Sequence, residues 1–126
     1  MYHTLVLVGN VGRDPEMRFT PQGEAVTNFS VAVSDGFGDK KKTIWVRVSA
    51  WGKTAEACNQ YLRKGAKVLV EGRLVADDGG NPRTFQRNDG STGAAFEVSA
   101  ATVRFLSGKD EREQGVAAPD AEDIPF

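Results

Sequence analysis

The segment Thr43-Ile44-Trp45-Val46-Arg47-Val48-Ser49-Ala50-Trp51 changes character at every residue. Successive side chains of a strand point to opposite faces, so Ile44, Val46, Val48 and Ala50 form one apolar face. Thr43, Trp45, Arg47, Ser49 and Trp51 form the other. The first face belongs to a core. Burying the second against hydrocarbon would strand its polar groups at about 1–3 kcal/mol each, and leaving it bare would expose two indoles. Flat rings beside a cation suit unpaired nucleobases, whose π-faces stack while their phosphates take the charge. Two other covers fit the same face: loops of the same subunit, and a protein–protein interface, where Trp is enriched.

Two further aromatics sit among cations in glycine-bearing stretches. Phe37 precedes the run Lys40-Lys41-Lys42, and Phe85 lies between Arg83 and Arg87. Each could anchor its own loop. Base–aromatic stacking is worth about 1–3 kcal/mol per base, and neighbouring cations add a salt-dependent phosphate term. Four aromatics flanked by cations favour nucleic acid over the other two covers.

Little in the chain supports catalysis. His3 is the sole histidine, and Cys58 stands among apolar residues of a predicted helix, where a thiol packs rather than reacts. No His/Cys cluster has zinc spacing, and no Walker-type phosphate loop is present. Gly9-Val11-Gly12 has no following helix and reads as a turn. No catalytic residue, metal or cofactor is expected.

The elements that must position these residues follow from pattern and punctuation. Residues 3–9 read as a strand, followed by the turn-rich Gly9-Asn10-Val11-Gly12-Arg13-Asp14-Pro15. Thr20-Pro21-Gln22-Gly23 marks another turn. Residues 26–34 form a second strand with Phe29, Val31 and Val33 on one side. Residues 35–42 are a polar hairpin loop, and 43–51 the third strand. In residues 53–64, Ala55, Ala57, Cys58, Tyr61 and Leu62 recur at helical spacing. Gly65 stands where a helix C-terminus favours positive φ. Residues 67–75 and 96–106 are the last strands, separated by a long loop over 77–95. Three strands, a helix and two strands match the five-stranded, partly open OB barrel.

The 126 residues support one domain. A core of this size leaves little surplus stability, so oligomerisation or a ligand is expected to supply part of it. Residues 1–106 carry 14 Lys and Arg against 11 Asp and Glu, a balance of +3; residues 107–126 carry 2 against 6, a balance of −4. A basic body with an acidic tail points to an anionic partner and a separate interaction segment. The expected fold is all-β with one helix: an OB-fold barrel over 1–106, a short disordered linker over 107–119 and an acidic tip over 120–126. One cysteine forms no internal disulfide, no apolar run is long enough to cross a membrane, and no secretory leader is evident. A cytoplasmic, nucleoid-associated protein is expected.

Several runs resemble the bacterial single-stranded DNA-binding protein family. They are Leu7-Val8-Gly9-Asn10-Val11-Gly12-Arg13-Asp14-Pro15-Glu16, Trp51-Gly52-Lys53-Thr54-Ala55-Glu56, Tyr61-Leu62-Arg63-Lys64-Gly65, Val70-Glu71-Gly72-Arg73-Leu74 and the terminal Asp123-Ile124-Pro125-Phe126. They are jointly specific and span nearly the whole chain in the family's order. The resemblance implies an OB fold, a homotetramer, and binding of single-stranded DNA without strong sequence preference. It further implies docking of replication, repair and recombination proteins on the tail tip. By motif position Trp45 and Trp51 fall on two stacking aromatics, and Phe37 on a third where tryptophan is common; Phe85 is the candidate fourth. Phosphate contacts are expected from Arg13, Lys40, Lys41, Lys42, Arg47, Lys53, Arg73, Arg83 and Arg87. Many members carry a long glycine-rich linker, which residues 107–119 replace here with a short one. An RNA chaperone or replication-restart accessory would share the aromatic sheet, but would not be expected to end in Asp-Ile-Pro-Phe.

The tip has its own chemistry. Phe126 offers a ring and a terminal carboxylate, while Asp120, Glu122 and Asp123 add negative charge beside Ile124 and Pro125. A partner needs an apolar slot with a basic rim, a form of carboxylate capture. The same charge is expected to compete weakly for the basic body when DNA is absent.

Overall fold

The computed structural model describes residues 1–106. The linker and tip expected over 107–126 lie outside the described residues. Strands β1 (Leu5–Val11), β2 (Glu16–Phe19), β3 (Ala25–Asp35) and β4 (Lys42–Trp51) lead into helix α1 (Gly52–Tyr61). Strands β5 (Lys67–Leu74), β6 (Thr84–Gln86), β7 (Thr92–Ala94) and β8 (Phe96–Phe105) follow. The main sheet runs β1-β5-β8-β4-β3-β2, and a further β1–β3 pairing closes β1, β3, β4, β8 and β5 into the five-stranded barrel of an OB fold. All these ladders are antiparallel except β4–β8.

Alternation decides which side of each strand enters the barrel. Val46, Val48 and Ala50 of β4 meet Phe29 and Val31 of β3, Val68 and Val70 of β5 and Val98 of β8 in one buried cluster. Closure needs a glycine. A Cβ at Gly9 would run into the carbonyl of Ala32, beside the short register Asn10↔Ala32, Val11↔Val31 that joins β1 to β3. Helix α1 buries Ala55 and Cys58 in the same cluster, with Leu62 just beyond its end. The buried Thr27 hydroxyl donates to the Ala55 carbonyl at 2.6 Å, tying helix to β3. Burial pushes the Cys58 thiol from about 9 up to about 11, so it packs and is not poised to react.

Four details differ from the sequence reading. Strand β1 continues to Val11, because Gly9 and Val11 still face the core. Helix α1 ends at Tyr61, with Leu62 already extended. Gly65, at φ +91°, therefore serves the turn into β5, where its amide donates to the Val11 carbonyl. Residues 16–19 form a short edge strand, and the stretch over 77–95 contains the β6–β7 hairpin. Both additions carry too few apolar residues to show a period.

Candidate nucleic-acid interface

The expected second face of β4 lies outside the barrel. Trp45 is 55% exposed and Trp51 42%, with Arg47 exposed between them. Six residues of strand separate the indoles by about 20 Å. Their neighbours are small or polar: Trp45 pairs with Ala32, Arg47 with Ser30 and Glu97, and Ser49 with Asn28 and Ser99. Such neighbours leave the long side chains standing clear of the sheet. The Ser49 hydroxyl donates to Asn28 Oδ1 at 2.8 Å, fixing a polar step between the rings. Gly12, just past β1, makes room for Trp45: a Cβ there would collide with the six-membered part of the indole.

The β6–β7 hairpin forms a second wall. Its turn is built by Asp89, whose carboxylate accepts from the Ser91 hydroxyl at 2.7 Å and amide at 2.9 Å, holding its pKa below the usual value. Phe85 of β6 lies opposite Gly93 of β7, where a Cβ would strike both the Phe85 ring and the Arg87 guanidinium. Arg47 Cζ sits 4.8 Å from the Phe85 ring centroid and Arg87 Cζ 5.5 Å, both within cation–π range. The Arg87 guanidinium also donates to the Thr92 carbonyl at 2.9 Å. Arg83 pairs with Glu97 at 3.7 Å, linking the hairpin to β8.

Between these walls runs an open groove of about 700 Å³ whose lining includes Arg13, Lys42, Trp45, Arg47, Phe85 and Phe96. A smaller one of about 410 Å³ shares Arg13, Ser30 and Arg47 with it and continues past Asn28 and Ser49. The fold thus brings Trp45, Arg47, Phe85, Arg13 and Lys42 together, with Arg87 against the Phe85 ring. Other expected contacts stand apart. Phe37, 93% exposed, rises with Lys40 and Lys41 at the tip of the β3–β4 hairpin. Trp51 and Lys53 mark the far end of β4, where it passes into α1. Arg73 continues the row Asn28–Ser49–Ser99 across the sheet onto β5.

Sequence reasoning missed Phe96, which is 64% exposed and lines the larger groove. It shares the parity of core-facing Val98, so alternation gives no sign of its exposure; it lies at the first residue of β8. Glu97, Asn28 and Ser30 were missed because β3 and β8 offered no aromatic to draw attention to their outer faces.

The chain is similar to the single-stranded DNA-binding protein of Neisseria meningitidis serogroup A, 38% identical over 116 residues that cover 88% of this chain and 63% of that protein. It is also similar to single-stranded DNA-binding protein 1 of Chlorobaculum tepidum, 40% identical over 114 residues that cover 84% and 65% respectively. The chain thus spans a little under two thirds of the length of these curated relatives. The Single-strand binding protein family matches residues 2–106, the whole of the barrel together with the β6–β7 hairpin. The chain belongs to that family.

Proposed function

We propose that this protein binds and protects single-stranded DNA without strong sequence preference. One observation carries the reading: Trp45 and Trp51 stay exposed on one outer face of β4, either side of Arg47, with Trp45 and Arg47 lining an open groove. Duplex DNA hides the faces of its bases, so a row of rings and guanidiniums rewards a strand whose bases are free. Backbone cations and base-tolerant stacking carry no sequence code, which accounts for the lack of preference.

The finer role is service in DNA replication, repair and recombination, as a homotetramer that recruits partner proteins through Asp120, Glu122, Asp123, Ile124, Pro125 and Phe126. Support comes from family membership and from the acidic, apolar composition of that segment. The titration that tests the binding reading uses labelled single- and double-stranded DNA of several lengths, following tryptophan fluorescence and particle mass. Quenching and tight binding by single strands alone are expected. Equal affinity for duplex, or no quenching, would return the tryptophan face to a protein interface.

A further inference from the structure

We infer that Phe96 is a further stacking platform for an unpaired base, beside the four aromatics expected in that role from the sequence. The inference rests on the single-strand reading above and deepens it. Phe96 opens β8 and is 64% exposed, although it shares the parity of Val98, which is 1% exposed. It belongs neither to the buried cluster nor to the partly buried side chains packed on that cluster. A phenylalanine usually holds its place through the apolar area it buries. Here the barrel leaves that area uncovered.

Exposure alone names no partner, since single apolar side chains on a surface are ordinary. Phe19, Leu74 and Val6 are exposed by 64%, 56% and 55%, and none of them lines either groove. Phe96 does, in company with Trp45, Phe85 and the cations Arg13, Lys42 and Arg47. Rings from three elements, β4, β6 and β8, thus border one groove. The two residues before Phe96, Ala94 and Ala95, line the same groove and are too small to cover a ring. Among the described residues no ring pair and no cation–π contact involves Phe96. The β4–β8 register sets Val46 opposite Phe96 and Arg47 opposite Glu97, so a cation stands one ladder step from the ring. A base stacked on Phe96 would carry its phosphate into that positive field, the pairing of ring and charge that single strands reward.

Stacking and charge differ in salt dependence. Losing a phosphate contact flattens the slope of log K against log salt by about 0.7 for a single strand, whereas losing a ring leaves the slope unchanged. Phe96→Ala is expected to weaken binding to a thymidine oligonucleotide by roughly five- to thirtyfold, at the wild-type slope. Phe96→Leu keeps apolar bulk without a π-face and should lose most of the same factor. On a strand made wholly of abasic sites, at low salt, both variants should bind as the wild type does. Because Phe96 lies outside the core cluster, circular dichroism and particle mass should stay native. Wild-type affinity in Phe96→Ala, full rescue by Phe96→Leu, or an equal loss on the abasic strand overturns the inference. A smaller particle would make Phe96 a contact between copies of the chain and overturn it too. Failure of the single-strand reading shows separately, as absence of binding by the wild-type protein and no effect of Trp45→Ala.

Discussion

The two indoles of β4 lie opposite different partners, Trp45 against Ala32 and Trp51 against Val26, so single substitutions report on them separately. Trp45→Ala and Trp51→Ala should each weaken single-strand binding by about 1–3 kcal/mol, read by fluorescence anisotropy of a labelled oligonucleotide, with the fold intact. Unchanged affinity in an intact assembly would assign the rings to a protein contact. Gly12 offers an independent probe of Trp45: Gly12→Ala places a Cβ against the indole and should tilt it, lowering affinity in the same direction while Trp45 itself remains. Cys58 reports on the opposite side of the strand. Its thiol is buried, with the pKa raised from about 9 to about 11. The folded state therefore holds a proton that the unfolded chain gives up sooner. That contribution to stability is complete below the unfolded value and is lost as pH rises from about 9 through 11. Iodoacetamide at pH 8 should label Cys58 slowly in the native protein and readily in denaturant; equal rates would mean that α1 opens freely.

At the scale of elements, legibility tracked period length. Strand β4 could be read over residues 43–51 because those nine residues alternate without a break between core and outer face; Lys42, exposed at a core parity, was left to the loop. Strand β2 has four residues, of which Met17 alone packs against the core, so no alternation could show. The β6–β7 hairpin had its signal in Asp89-Gly90, a turn pair, but its three-residue strands gave nothing on either side to confirm it. That omission changed the meaning of Phe85, which looked like a loose ring among cations and is instead docked beside Arg47. Tertiary placement of this kind is invisible to local pattern. Two predictions belong here. Thr27→Val removes the bond from β3 to the Ala55 carbonyl and should destabilise the protein by about 1–3 kcal/mol in urea unfolding. Glu97→Gln removes a carboxylate from the smaller groove and frees Arg83; at 3.7 Å, with Arg83 exposed and Glu97 half-buried, the pair contributes little to stability. DNA affinity should rise, with a salt slope steeper by about 0.7, while the melting temperature stays within a degree or two of wild type. A lower affinity would mean that the pair holds the hairpin in its binding position.

For the molecule as a whole, the formal charge of −1 conceals a separation: +3 over residues 1–106 and −4 over 107–126. A strand of DNA and the acidic residues 120–126 present the same kind of charge to the groove cations Arg13, Lys42 and Arg47. If the acidic segment occupies the groove it must be displaced before DNA enters, and the measured affinity is then an intrinsic one reduced by that competition. Neutralising Asp120, Glu122 and Asp123 as Asn, Gln and Asn keeps their size and removes the competitor. Affinity for single strands should then rise at low salt. The Debye length falls from about 30 Å at 0.01 M to about 10 Å at 0.1 M, so the gain should fade over that range. On the proposed reading DNA contacts the groove through stacking as well as charge, and stacking is little affected by salt; the variant and wild-type curves should therefore converge at a finite affinity. Parallel curves at every salt concentration would show that the acidic residues do not compete for the barrel, leaving the proposed partner docking as the reading to test next.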